Sequence, residues 1–273
     1  VAAIETMKEI TVLIPTYNRV KALAVTLTSL IYQLEQPFDI CISDQSPGDE
    51  LENDQTVQTI IRVLQLRNCD VRILKNLPPR GMAQQRQFLL DQCISPYSLF
   101  LDDDLVLEPY VIRNMKQVLQ QQGCGFTGSA VIGLSYLDDW RPHQQKIMFW
   151  NGPVEVECIE PKSTAWERYT LHNAANIFHV QQKYNIQPEE PVPYKVAWIG
   201  GCVMYDTQKL RQAGGFTFWD QLPVNHCGED VLAQLRVMKR FGGCGILPSG
   251  VYHQELQTTI ADRTVNAPEC LEI

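Results

Sequence analysis

Ile10 to Pro15 is a short, largely apolar run rich in β-branched residues. It has neither helical spacing nor the alternation of a half-exposed strand, so it predicts a strand buried on both faces. Thr16 to Arg19 turn the chain. Leu23, Leu27, Leu30, Ile31 and Leu34 then recur at helical spacing across Val20 to Leu34. The same alternation continues. Asp39 to Ser43 reads as a second strand, running into Asp44 and a Ser-Pro-Gly-Asp turn, and Val57, Ile60, Ile61 and Leu64 mark a second amphipathic helix. Asp70 to Lys75 is a third strand. A helix over Gly81 to Cys93 follows Pro78 and Pro79, and a fourth strand, Ser98 to Leu101, ends in three consecutive aspartates. Strand alternating with helix predicts an α/β fold with a mostly parallel central sheet flanked by helices.

In such sheets ligands gather beyond the carboxyl ends of the strands. Thr16 to Arg19, Asp44 and Asp102 to Asp104 all fall at predicted ends of that kind. From about Leu137 to Tyr194 the alternation stops. This stretch holds prolines and three of the five tryptophans, Trp140, Trp150 and Trp166. With a β ribbon predicted at Val154 to Ile159, it reads as an insertion shaping a pocket. Strand character returns over Val196 to Tyr205, followed by a short helix through Leu210, the turn Gly214-Gly215 and a helix over Asp230 to Phe241.

Composition narrows the field. The chain has 273 residues, 45% hydrophobic and 20% charged, with a formal net charge of -8. That acidic balance argues against a nucleic-acid partner, but a divalent metal and a few local cations still accommodate one nucleotide. The nine cysteines are scattered, with neither a Cys-x-x-Cys pair nor zinc spacing. They read as reduced thiols, which points to a cytoplasmic setting. No apolar run approaches the length of a membrane span. The opening VAAIETMKEI lacks the basic start and apolar core of a signal peptide. It begins with Val, so the context of the full-length protein stays open.

The densest chemistry is in FLDDDLVLEP, Phe100 to Pro109. Alternation along a strand predicts Asp102 and Asp104 on one side and Asp103 on the other. Three adjacent carboxylates repel unless a cation or hydrogen bonds compensate, and hard oxygen ligands suit Mg2+ or Mn2+ on phosphate oxygens. The competing reading is an acidic turn before a helix that starts near Glu108 and Pro109. Glu229 and Asp230 open a helix, where carboxylates also serve as simple dipole partners. Trp198 precedes Gly200 and Gly201, small residues that let a substrate approach the backbone, and a tryptophan there reads either as a stacking face for a ligand or as core packing.

In order, LIPTYNR (Leu13 to Arg19), SDQS (Ser43 to Ser46), RGMAQQRQ (Arg80 to Gln87), FLDDD (Phe100 to Asp104), GG-x-x-x-x-D (Gly200 to Asp206), AGGF (Ala213 to Phe216) and GEDV (Gly228 to Val231) resemble a family 2 glycosyltransferase. The resemblance spans nearly the whole chain except about Leu137 to Tyr194. It implies the GT-A fold as a single domain over 1–273. A nucleotide-sugar-binding half would cover about 8–122, and an acceptor-binding half about 123–260 would carry the insertion 137–194, with a tail at 261–273. It further implies an inverting, metal-dependent transfer from a nucleotide-sugar, with a UDP-sugar favoured, to a hydroxyl acceptor in polysaccharide or glycoconjugate synthesis.

Carried over by position, Pro15, Thr16, Tyr17 and Arg19 would line the base and ribose, and Asp44 would accept a hydrogen bond from the base. Arg86 would stand near the diphosphate or Asp102, though Gln85-Arg86-Gln87 departs from the Arg-Asn usual there. Asp104 would be the direct ligand of Mn2+ or Mg2+, and Asp102 would reach the ribose or a metal-bound water. Asp103 would complete the donor-side cluster, and His253, beyond the last predicted strand, would be a further metal ligand. Asp230 would be the catalytic base with Glu229 in support, while Trp198, Gly200, Gly201 and His226 would face the acceptor. Two other readings stand beside this one: a sugar-1-phosphate nucleotidylyltransferase, disfavoured by PTYNR where a glycine-rich loop belongs, and a binding module without turnover.

Overall fold

The computed structural model describes residues 7–260 and 262–273; Ala261 and the opening residues 1–6, most of the segment tested above for a signal peptide, lie outside the described residues. Among the described residues the strands are β1 Ile10–Thr16, β2 Asp39–Asp44, β3 Val71–Lys75, β4 Tyr97–Leu101, β5 Leu105–Leu107, β6 Phe126–Gly128, β7 Val192–Tyr194, β8 Cys202–Asp206, β9 Gly243–Leu247 and β10 Val251–His253. The helices are α1 Val20–Ile31, α2 Glu50–Asn53, α3 Gln55–Leu66, α4 Met82–Gln92, α5 Val111–Gln122, α6 Asn176–Tyr184, α7 Thr207–Gln212, α8 Glu229–Phe241 and α9 Ala267–Cys270.

Eight strands form one sheet in the order β3-β2-β1-β4-β8-β6-β9-β7, and β5 pairs with β10 in a separate ribbon. The run β3-β2-β1-β4 is parallel, as helical crossovers require. β8 enters antiparallel to both β4 and β6. Because Leu101 pairs with Cys202, the start of β8 shares an edge with the end of β4. The Gly200-Gly201 turn is thereby delivered to the triple aspartate.

Period-two burial sorts the sheet's two faces. Val12 and Ile14 face one core with Leu27 and Leu30 of α1, Leu64 of α3 and Met115 of α5. Leu13 and Phe100 face the other with Leu90 of α4 and Leu232 and Leu235 of α8. Both faces are covered, which explains why β1 and β2 are largely apolar instead of alternating.

Three sequence expectations need correction. No strand forms at Val154 to Ile159; the antiparallel contact there is made instead by Met148 to Trp150 against Pro193 to Lys195. Residues 154–159 settle singly, with Val154 N–H donating to Gln122 and Glu157 N–H to the Met238 carbonyl. The predicted strand over Val196 to Tyr205 shortens to β8, because Gly201 bends the chain at φ +80. His253 does not lie past the last strand but closes β10.

Candidate active site

A cavity of about 690 Å³ opens beyond the ends of β1 and β4. Pro15, Thr16, Tyr17, Arg19, Arg86, Asp102, Asp103, Asp104, Trp198, Gly200, Glu229, Asp230 and His253 all line it. Three expected residues do not line it: Asp44, Gly201 and His226.

The three aspartates do not alternate. The strand stops at Leu101 and residues 103–104 form a turn, so strand periodicity no longer applies. Asp103 and Asp104 share Arg19, whose Nη1 lies 2.6 Å from Asp104 Oδ2 and 3.3 Å from Asp103 Oδ1. Asp102 turns instead to Arg86, with Nη2 to Oδ1 at 3.2 Å. Asp103 is the scaffolding member: it accepts from Thr16 Oγ1 at 2.6 Å, and its carbonyl accepts from Thr26 of α1. Burial pushes its carboxyl up to about 6, against the pull of Thr16 and Arg19.

Arg86 is the hub between the two acidic clusters. Its Nε donates to Glu229 Oε1 at 3.0 Å while Nη2 reaches Asp102. Burial opposes its charge, but Asp102 and Glu229 outweigh that and hold the guanidinium firmly protonated. Glu229 is thus a support for Arg86. Asp230 is left half-buried in the cavity, with Oδ1 accepting only from the N–H of Val231. Its carboxyl is pushed up to about 7 by burial and by neighbouring Glu229, against the lowering pull of Arg86. Gly200 leaves space here: a Cβ added there would stand 4.0 Å from Asp230 Oδ2. Gly201 lies behind the acids, its carbonyl accepting from Asp102 N at 2.8 Å. Its positive φ, and a Cβ position 2.9 Å from Val131, restrict it to glycine.

Trp198 is stacked on Tyr169 with centroids 5.0 Å apart, and Trp166 tilts against it at 4.4 Å. The tryptophan is therefore held by two aromatic rings from the insertion while it lines the cavity. His226 is buried with a different task. Its Nε2 accepts from Ala83 N at 3.1 Å and its Nδ1 lies 2.7 Å from the Pro223 carbonyl, so the ring caps α4 as the neutral Nδ1–H tautomer. Asp44 is fully buried, its carboxylate committed to Lys75 Nζ at 2.7 Å and Ser46 N at 2.8 Å.

The donor chemistry for a divalent cation is present in Asp102 and Asp104, whose carboxylate oxygens are hard ligands on one wall. Among the described residues, no three His, Cys, Asp or Glu side chains form a metal-binding group. His253 Nε2 lies 3.5 Å from Asp104 Oδ2, but Nδ1 accepts from Glu255 N at 2.7 Å. A neutral ring in that arrangement carries its proton on Nε2, toward Asp104. It stands beside Asp104 on the same cavity wall.

Residues that the motifs did not indicate complete the site. Gln85 ties α4 to the strand ends, donating to the Thr16 carbonyl at 3.2 Å and the Ser43 carbonyl at 2.7 Å. Leu256, Thr258, Thr259, Ile260, Arg263 and Asn266 come from the segment after β10. Arg19 donates to the Gln257 carbonyl of that segment, and Cys227 N–H donates to the Val265 carbonyl. Asn266 Oδ1 lies 2.2 Å from where a Gly228 Cβ would be, which explains the glycine before Glu229. The segment has no apolar period, so only its polarity marked it in the sequence.

An α/β sheet with acids at its carboxyl edge, an antiparallel strand reversing beside them and a carboxylate at a facing helix start define a GT-A glycosyltransferase domain. The sequence model of glycosyl transferase family 2 matches residues 11–185, and the chain belongs to that family. Its fold is similar to residues 1–349 of TarS from S. aureus, at 16% identity and a TM-score of 0.55 over 90% of this chain and 60% of that one. It is also similar to the mannosyltransferase PcManGT from Pyrobaculum calidifontis, solved with GDP-Man and Mn2+, at 13% identity and a TM-score of 0.57 over 94% of this chain and 59% of that one. A TarS structure with UDP-GlcNAc gives 15% identity and a TM-score of 0.53 over 93% of this chain and 60% of that one. The chain thus spans about 60% of the length of these structures. No curated protein matches it.

Proposed function

We propose that the protein transfers a sugar from a nucleoside diphosphate donor to a hydroxyl acceptor with inversion at the anomeric carbon. The observation that carries this reading is Asp230: a half-buried carboxyl with its pKa near 7, in the same cavity as Asp102 and Asp104 and separated from them by Arg86. In the proposed step Asp230 takes the proton of the acceptor hydroxyl. The acceptor oxygen bonds to the anomeric carbon from the face opposite the diphosphate, and the old glycosidic C–O pair leaves with the diphosphate. Trp198, braced by Trp166 and Tyr169, offers a flat apolar wall for a sugar.

Asp102 and Asp104 would hold Mn2+ or Mg2+, which when bound would neutralise charge on the leaving diphosphate. The neighbours captured with UDP-GlcNAc and with GDP-Man and Mn2+ support this choice of donor class and metal. Among the described residues no helix is long and apolar enough to cross a membrane. Nine unpaired cysteines support a reducing, cytoplasmic setting. The continuous sheet from β3 to β7 supports reading both halves as one domain.

Replacing Asp230 with Asn tests the assignment. Transfer should fall by about 10²–10⁴-fold, the usual contribution of a positioned base, while nucleoside diphosphate binding measured by calorimetry stays within a few-fold. Normal turnover by the variant would refute the role.

A further inference from the structure

Residues 198–200 belong to neither helix nor strand, and Trp198 and Gly200 line the cavity on either side of a fully buried Ile199. A buried residue outside the sheet has no ladder to satisfy its main chain. Ile199 is served instead by one side chain of α8. Its N–H donates to Gln234 Oε1 at 2.8 Å, and Gln234 Nε2 donates to its carbonyl at 2.7 Å. The amide thus takes the place of a neighbouring strand for a single residue. The Ile199 side chain is fixed as well. It fills the space a Cβ would take on Gly128 of β6, with Cδ1 2.7 Å from that point.

Gln234 is itself fully buried. A glutamine sunk in the core is costly unless its amide is paired, and here its oxygen and its nitrogen both bond to Ile199. It stands four positions after Asp230, one turn along α8 on the same face. The spacing between Asp230 and the wall is therefore set by one helical turn and this pair of hydrogen bonds. The result is visible at Gly200, where an added Cβ would stand 4.0 Å from Asp230 Oδ2. Trp166 and Tyr169 hold the ring of Trp198, whereas Gln234 ties the adjoining main chain to the helix that carries Asp230.

We propose, resting on the transfer reading above, that Gln234 is a positioning residue for the acceptor. It keeps Trp198 and Gly200 in register with Asp230, so that a sugar ring laid on Trp198 presents its hydroxyl to that carboxylate. Gln234 does not line the cavity and acts through Ile199. The donor-side acids are held separately, by Arg19 and Arg86. Loosening the bracket therefore costs capture of the acceptor and spares the donor.

Nucleoside diphosphate release from UDP-glucose, UDP-N-acetylglucosamine and GDP-mannose with Mn2+ tests this, measured with and without methyl glycosides of glucose, galactose, mannose and N-acetylglucosamine. Release without a glycoside is hydrolysis; the increment with one is transfer. Gln234→Met keeps the length of the side chain and removes both hydrogen bonds. It should raise the KM for the glycoside and lower kcat/KM for transfer by about 10–100-fold, the scale of a misplacement near 1 Å. Hydrolysis should stay within about threefold of wild type. In a Trp198→Ala background the same change should cost transfer less than about threefold more, because both act on one contact. Equal losses of transfer and hydrolysis, or full additivity with Trp198→Ala, overturn the proposal and leave Gln234 a packing residue. Should circular dichroism show Gln234→Met unfolded, Gln234→Asn, whose amide falls one methylene short of Ile199, carries the same comparison. Wild type that hydrolyses a donor but gains nothing from any glycoside overturns the sugar wall and this role, and leaves the donor reading standing. Release from none of the three donors overturns both.

Discussion

Among single residues, the arginines lining the cavity divide by what they already hold. Arg19 is shared by Asp103 and Asp104, and Arg86 by Asp102 and Glu229. Arg263 lines the same cavity and has no carboxylate within ion-pair distance among the described residues. Its main chain is fixed beside the helix start by Cys227, whose Sγ lies 3.8 Å from the Arg263 carbonyl. A diphosphate entering a cavity with five carboxylates needs an uncommitted cation, and Arg263 supplies one. Arg263→Ala should weaken UDP binding by about 10–100-fold, the range of a hydrogen bond to a charged group, and leave uridine binding unchanged. Calorimetry with both ligands decides; equal losses for UDP and uridine would mean a structural role instead. The sequence made the acids visible because they stand consecutively. Which arginine neutralises which acid was not visible, since Arg19, Arg86 and Arg263 reach the cavity from three distant stretches of chain.

At the level of elements, α4 depends on a residue far away in sequence. Gly81 begins it at φ +94 with no side-chain cap of its own, and the Ala83 N–H is satisfied by His226. A Cβ at position 81 would lie 2.5 Å from the His226 ring, so glycine and histidine fit only together. His226→Ala should lower stability by about 1–3 kcal/mol, the cost of an orphaned buried donor, measured as a shifted urea midpoint with unchanged slope. Because Gln85 and Arg86 follow on the same helix, donor affinity should fall in parallel. Helices α1, α3 and α8 and the four parallel strands were legible from spacing alone, whereas α5, as long as α1, was not read. The three-residue strands β5, β6, β7 and β10 were not, because three residues cannot display a period. The ribbon misplaced at Val154 to Ile159 has β-branched residues, yet its pairing partner lay with Met148 to Trp150. Asp44 shows a related limit: the β2 end was correctly located, but the Lys75 that closes over it comes from β3 and no motif announced it.

For the whole molecule, the site couples activity and stability to pH in opposite directions. A base must be ionised to take a proton, and Asp230 is held protonated up to about 7 by burial, Glu229 and, more distantly, Asp102. The value of kcat/KM, which reports the free enzyme, should therefore fall about tenfold per pH unit below about 7 and level off above it. For stability the sign reverses. The folded pKa of Asp230 lies above that of an unfolded aspartate, about 3.9. Its favourable contribution is therefore full below that unfolded value and is lost as pH rises through about 7. On the activity plateau the ionised carboxylate is thus a liability for the fold, tolerated for its chemistry. Asp230→Asn should then raise Tm at pH 8 by roughly 2–4 °C, about 1 kcal/mol for a chain of this size, a figure kept small because the side chain is partly open to solvent. At pH 4 the gain should vanish, since the side chain at position 230 is uncharged in both folded proteins there. Melting curves of wild type and variant across this range, set beside the pH profile of kcat/KM, make the test. A Tm difference that is constant with pH would show that Asp230 is not the strained carboxylate, and an activity limb near 4 instead of 7 would agree with that outcome.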